Sequence, residues 1–235
     1  MRLRWFIRIM FVVAAGYMAL LTIFVFSPDS DAVSRAIVKM AWGLFLLWVI
    51  MGGALTLRYR ERIRQYVLSI ATNWQIKFVV FATILALVEE LITTGMTNLA
   101  PFFGVKMGEA YITASANYFE VIFFHSVIVF IPMFIGWAWL LGRYDFSPNA
   151  VFLLFGVTGT LAEWIAFGFS NPISFAFWLF VYGLMVYLPT YSLPPNRVVR
   201  QVRFWHIPVA IVFPIICSVP VAIVINLINQ ARHAS

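Results

Sequence analysis

The chain has 235 residues, of which 63% are hydrophobic and only 11% charged, with a net charge of +7 and a mean hydropathy of +0.93. A water-soluble domain of this length needs far more charge to cover its surface, so composition excludes one. The positive balance requires no nucleic-acid partner, because membrane topology and anionic headgroups account for it.

Apolar runs of the roughly 20 residues needed to cross a bilayer recur along the whole chain. Seven spans are predicted, at about 5–27, 35–57, 74–95, 117–141, 149–168, 172–193 and 205–229. The expected fold is an all-α integral membrane protein. It is a bundle of about seven transmembrane helices forming one domain over residues 1–235, in a cytoplasmic (inner) cell membrane.

The first span follows Arg2, Arg4 and Arg8, as the apolar run of a signal peptide would. No small-residue cleavage site follows Phe26, so the run is expected to be retained. Arg58, Arg60, Arg62 and Arg64 fill the second connection, and Lys77 opens the third span. Arg143, then Arg197, Arg200 and Arg203, mark the fourth and sixth connections. Twelve of 16 basic residues therefore fall on one side, leaving Arg35, Lys39, Lys106 and Arg232 on the other. This asymmetry predicts an N-terminus inside and a C-terminus outside. Trp5, Trp74, Trp137, Trp139 and Trp205 all fall near the same predicted interface, where indoles prefer to sit.

The third and fifth spans close on one pattern, E-x-I-x-x-G-x-(S/T)-N. It runs from Glu90 through Ile92, Gly95 and Thr97 to Asn98, and from Glu163 through Ile165, Gly168 and Ser170 to Asn171, 73 residues later. A second match, Val129-Phe130-Ile131-Pro132 with Val186-Tyr187-Leu188-Pro189, comes at an offset of 57. The 16-residue difference falls in the loop 99–116. Spans three and four thus pair with spans five and six as an internal parallel repeat of helical hairpins, which places equivalent residues at equal depth.

The loop 96–116 is the longest external connection and holds only Lys106 and Glu109 as charges. It is expected either to fold back as a lid or plug, or simply to join its spans at the headgroups. Span six carries Phe175, Phe177, Trp178, Phe180 and Tyr182 in close succession, which suits a polyene or quinone chain or plain lipid contact. Pro208, Pro214 and Pro220 predict a kinked seventh span whose freed carbonyls need partners. Cys217 is the single cysteine, which leaves no disulfide or cysteine metal site within one chain and suits a small core residue.

An ionisable group inside a span costs about 2.5–3.5 kcal/mol on insertion scales and persists where it has a task. Glu90 and Glu163 each lie eight residues before an Asn, and His125 lies eight after Asn117. At about 1.5 Å per residue all three stand roughly 12 Å inside one face. Glu90, Glu163 and His125 are therefore the candidate catalytic residues and the candidate ligands of a divalent metal, which suits carboxylate and imidazole donors. Two close carboxyls also share a proton and serve as acid and base. Alternatively, protonated glutamates tie helices together by hydrogen bonds. Glu89 points about 100° from Glu90 and aligns with Ala162, so Glu90 is preferred. Glu120, about 140° from His125, is expected near the headgroups.

Glu89-Glu90 followed by His125 resembles the order of motifs in CAAX-type intramembrane proteases. The expected Arg after the pair is Thr94, the Phe before the histidine is Val121, and the later histidine motif is missing. The order Glu90, Thr94-Gly95, Pro101-Phe102-Phe103-Gly104, Tyr111 resembles the E…TG…PFG…Y order of carotenoid hydratase-type membrane proteins, without their second acidic signature.

The functional expectation is a multi-pass membrane protein with an intramembrane Glu/Glu/His site near the external face, an enzyme or binder of a lipid-soluble, isoprenoid-type molecule. The alternatives are a small proton-coupled transporter, a CAAX-protease-like hydrolase, or a non-catalytic subunit of a larger membrane complex. Expected partners are membrane lipids, a lipid-soluble small molecule and membrane-complex subunits.

Overall fold

The computed structural model describes residues 2–167 and 174–234. Gly168, Ser170 and Asn171, which complete the second copy of the repeated pattern, lie outside the described residues. Among them the regular structure is helix, with no strand. Helix α1 spans Arg2–Val25 and α2 spans Ala32–Leu44, and α2 continues through a π-helical stretch, Phe45–Gly52, into α3, Gly53–Ser69. Helix α4 is Trp74–Asn98, followed by a 3-10 turn at Ala100–Phe103. Then come α5 (Tyr118–Phe124), α6 (Val127–Leu141), α7 (Pro148–Phe167), α8 (Phe175–Tyr191) and α9 (His206–Ala234).

Side-chain caps fix several of the starts. Asp31 accepts from the Ser34 amide at 2.8 Å, Asn73 from the Gln75 amide at 2.9 Å, and Asn117 from the Phe119 amide at 3.0 Å. Each satisfies an orphan donor of a first turn.

Among the described residues, four helical runs are long and apolar enough to cross a membrane: Leu3–Val25, Ala32–Ser69, Pro148–Ile165 and His206–Arg232. Helices α5 and α6 together pass the same test but meet at a 46° bend, making a fifth. The sequence reading expected a single span over 117–141; the break falls at His125 and Ser126, where the His125 backbone leaves helical geometry (φ −139°, ψ −90°). Helix α4 is 25 residues long but carries Lys77, Glu89 and Glu90. The 17-residue α8 is short and buried from Ala176 to Thr190 except at Trp178.

Helix α8 is the hub of the bundle, packing on α7, α4 and α1. Its contact with α7 is unusually close. A Cβ built on Gly156 would stand 2.5 Å from the Leu179 carbonyl oxygen, and one on Gly183 would stand 2.7 Å from the Phe152 carbonyl oxygen. Only the missing side chains allow backbones to approach so closely, the small-residue device of membrane helix pairs. Phe45, Phe78, Phe134, Phe155 and Trp137 fill the surrounding core.

Helix α9 runs unbroken through Pro214 and Pro220, while Pro208 sits in its first turn, where a missing N–H costs nothing. Near these prolines Thr158 Oγ1 donates to the Ile211 carbonyl at 3.1 Å and Ser218 Oγ to that of Ile215 at 2.7 Å. Cys217 packs where α9 crosses Gly136 of α6.

The connections collect at two ends. At one, Asp145 N donates to the Arg200 carbonyl at 2.9 Å, Arg197 pairs with Asp145 at 3.7 Å, and the Arg197 guanidinium lies 5.5 Å from the Trp74 ring. At the other, Lys39 donates to the Phe103 carbonyl at 3.3 Å and Arg232 pairs with Glu120 at 3.3 Å.

Candidate functional site

Helix α4 enters the bundle apolar and ends polar: Glu89, Glu90, Thr93, Thr94 and Thr97 are all buried. Glu89 and Glu90 are 4% and 5% exposed. Both line a cavity of about 290 Å³, together with Glu163 of α7 and Tyr182 of α8. The repeated pattern therefore leads to one place from two helices. The offset of about 100° between adjacent helical positions does not carry Glu89 out of it, because the cavity spreads across the α4 face toward α7 and α8.

The three carboxyls are held differently. Glu90 Oε2 accepts from Thr93 Oγ1 at 3.0 Å and from Thr113 Oγ1 at 3.2 Å, and the Ser126 side chain bonds to the same carboxyl. Glu163 Oε1 accepts from the Tyr182 hydroxyl. Glu89 has no hydrogen-bond partner among the described residues and faces the void, within electrostatic range of both other glutamates. Among the described residues, no Lys, Arg or His lines the cavity. Carboxyls gathered around one cavity can share protons, and so can both donate and accept them.

The loop after α4 closes the cavity from one side. It leaves the helix through the 3-10 turn and reverses at Gly104, whose φ of +92° is the left-handed region that favours glycine. Val105 and Ala110 then pack on Ala36 and Met40 of α2. Asn98 Nδ2 donates to the Ala116 carbonyl at 2.8 Å, and the Ile112 amide donates to Thr97 Oγ1 at 3.3 Å. This pinning brings Tyr111, Ile112 and Thr113 to the cavity wall. Of the two expectations for the loop, folding back over the helices is the one observed.

A second cavity, of about 230 Å³, adjoins the first and shares Tyr111, Ile112 and Trp178 with it. Its other walls are apolar or nearly so, including Met18 and Leu21 of α1 and Ile37 and Leu44 of α2.

His125 does not line the carboxyl cavity. It stands at the α5–α6 break, where it interacts electrostatically with Glu120, which itself accepts from Ser115 Oγ at 2.7 Å. Counting eight residues from Asn117 assumed a continuous helix, and the break at His125 removes that assumption. Its neighbour Ser126 faces the cavity instead. The expected metal set of Glu90, Glu163 and His125 is thus not assembled. Among the described residues, no group of three or more His, Cys, Asp or Glu side chains is arranged to hold a metal ion.

Tyr182, Thr113 and Ser126 are site residues that the sequence reading did not single out for this role. Tyr182 carried a usable signal, because a tyrosine on a helix buried all round needs a partner for its hydroxyl. Thr113 and Ser126 carried none. No family of known proteins, characterised protein or solved structure matches the chain.

Proposed function

We propose that this chain is a seven-span membrane protein whose carboxyl cavity performs acid–base chemistry on a lipid-soluble, isoprenoid-type molecule. One observation carries the reading: a cavity lined by three carboxyls shares a wall with an apolar cavity reaching α1 and α2. An apolar chain held in the second would present a reacting group to the first. The buried, partner-free Glu89 supplies an acid, and the hydrogen-bonded Glu90 and Glu163 supply bases of fixed orientation. Addition of water to a carbon–carbon double bond fits this equipment and the resemblance to carotenoid hydratase-type proteins. A carboxylic acid gives its proton to one carbon, water attacks the other, and a carboxylate takes the proton that the attacking water loses.

The orientation proposed is N-terminus inside, with α4 and α8 as the central spans. The meeting of Arg143, Arg197 and Arg200 with Trp74 at one end of the bundle supports it. The parallel repeat is proposed on the pattern itself, with support from Glu90 and Glu163 sharing a cavity.

The test is conversion of unsaturated isoprenoids by membranes containing the protein, in water labelled with heavy oxygen. Mass spectrometry should find a product heavier by one labelled water. Glu89→Gln, Glu90→Gln and Glu163→Gln should each lower turnover at least tenfold, since a positioned acid or base contributes about 10²–10⁴. Full turnover in all three variants would refute the reading.

A further inference from the structure

A second site lies apart from the carboxyl cavity and shares no lining residue with it. A groove of about 670 Å³ runs between α1 and the continuous helix formed by Phe45–Gly52 and α3, floored by α7 and α8. Every helix that borders it turns polar at the same end. On α1, Arg4 and Arg8 precede Phe11 and Val12. On the facing helix Arg60 follows Val49, Ile50 and Leu57. On the floor, Asn149 precedes Phe152 and Tyr187 follows Phe180 and Leu184. The groove is therefore an apolar trough with a cationic mouth.

The charge at that mouth is only partly compensated among the described residues. Arg4 and Arg8 are one helical turn apart, exposed, and make no ion pair among the described residues. Arg60 donates to the Tyr187 hydroxyl at 3.3 Å and stands 5.1 Å over the Tyr191 ring, leaving most of its donors free. Glu61, the neighbouring carboxylate, accepts from Tyr191 and attracts Arg60 electrostatically, but it does not line the groove. Three guanidinium groups with no lining acid match a phosphate, which they bind through paired, charge-assisted hydrogen bonds.

We propose that this groove binds one anionic phospholipid of the bilayer, with its phosphate among Arg4, Arg8 and Arg60 and an acyl chain along Phe11, Ile50 and Phe180. Moving a chain from bilayer to groove exchanges one apolar surrounding for another, so selectivity resides in the headgroup. In the orientation proposed above, this mouth lies at the cytoplasmic leaflet, the one that carries anionic lipids.

The other face of α3 provides a contrast. A groove of about 770 Å³ there, between α3 and α4, has Lys77 as the basic residue in its lining. The Lys77 ammonium is already spent on the carbonyls of Val67 at 2.9 Å and Ile70 at 3.1 Å. That groove takes lipid chains without preference for headgroup charge.

The test uses the full-length protein in mild detergent, titrated with phosphatidylglycerol or with phosphatidylcholine of identical chains, and read by native mass spectrometry. Phosphatidylglycerol should be retained in preference, as one bound copy. Arg4→Gln/Arg8→Gln should weaken it more than tenfold, at roughly fivefold per basic residue. Arg62→Gln, an exposed change on α3 outside the groove, should leave retention within twofold of wild type. Ala54→Phe, which fills the trough and keeps every arginine, should also abolish the preference. Equal retention of the two lipids would overturn the proposal, as would an Arg62→Gln loss equal to that of the double variant. Displacement of the lipid by millimolar inorganic phosphate would show a free-anion site and overturn it too. None of these readouts depends on the glutamates of the first cavity.

Discussion

Replacing Gly156 by Ala tests how the α7–α8 contact holds the carboxyl site together. The new methyl carbon would stand 2.5 Å from the Leu179 carbonyl oxygen, 2.9 Å from its Cγ and 3.1 Å from its Cα. Comfortable contacts lie at roughly 3.5–4.0 Å, so the two helices must part by about 1 Å at this point. Two of the three obstructing atoms belong to the α8 backbone and cannot rotate away. Overpacking of this kind costs about 1–3 kcal/mol. Against it, Gly→Ala inside a helix gains up to about 1 kcal/mol of propensity. Gly16 of α1 isolates the propensity gain, because a Cβ there meets nothing within 4 Å. Gly16→Ala carries the propensity gain alone, so the two variants should differ by the clash, about 1–3 kcal/mol. At roughly 2–4 °C per kcal/mol for a chain of this length, thermal unfolding in one detergent resolves the difference. Gly156→Ala should melt several degrees below Gly16→Ala, and the proposed turnover of isoprenoids should fall, because the same displacement separates Glu163 from Tyr182. Equal melting temperatures for the two variants would refute the close-packing argument.

Three further outcomes are expected. Trp48→Phe removes the buried hydrogen bond from Trp48 Nε1 to the Val181 carbonyl, 2.9 Å long. The Val181 carbonyl keeps its partner within α8, so the loss is that of one hydrogen bond, about 0.5–1.5 kcal/mol, and an unchanged melting temperature would show that the bond contributes nothing. Asp31, the cap of α2, is held below the usual carboxylate range by the Ser34 amide and then the Ser34 hydroxyl. Its capping contribution is therefore present above the ordinary carboxylate pKa and lost as pH falls through the depressed one. Amide exchange at Ser34 should accelerate over that acid window beyond its intrinsic pH dependence, and Asp31→Ala should abolish the effect. For topology, a cysteine at Ser30 should react with a membrane-impermeant maleimide in intact cells while one at Ser147 does not; labelling of Ser147 would reverse the proposed orientation.

The legible part of this protein rests on forces that act locally. A backbone in lipid must satisfy its own hydrogen bonds, so an apolar stretch of sufficient length becomes a helix whatever surrounds it. Helices α1, α4, α7 and α9 accordingly begin and end close to the predicted apolar runs. The spacing of Glu90 from Asn98 was readable for the same reason, since a regular helix converts residue count into depth. Asn98 does end α4, and Asn117 does cap α5.

Where one residue interrupts a helix, counting fails, and His125 is the instance. The apolar sequence around it gives no sign that the chain turns by 46° there. That turn brings Ser126 rather than His125 to the carboxyls. The choice between Glu89 and Glu90 was likewise beyond a periodicity argument, because it depends on the width of a cavity bounded by three helices. Thr113 lies 23 residues from the carboxyl it bonds, on a loop whose course is set by contacts with α2.

The sequence by itself determined the apolar surroundings, most of the helices, the basic end of the bundle and two of the three glutamates of the candidate cavity, because hydropathy, charge and helical rise are properties of neighbouring residues. Tertiary structure alone decided that Glu89 joins them, that Tyr182 and Thr113 hold them, that His125 stands aside, and that Arg4, Arg8 and Arg60 face one groove. Those outcomes depend on how close α7 comes to α8 and where a helix breaks, and such distances arise only when the whole set of helices packs together.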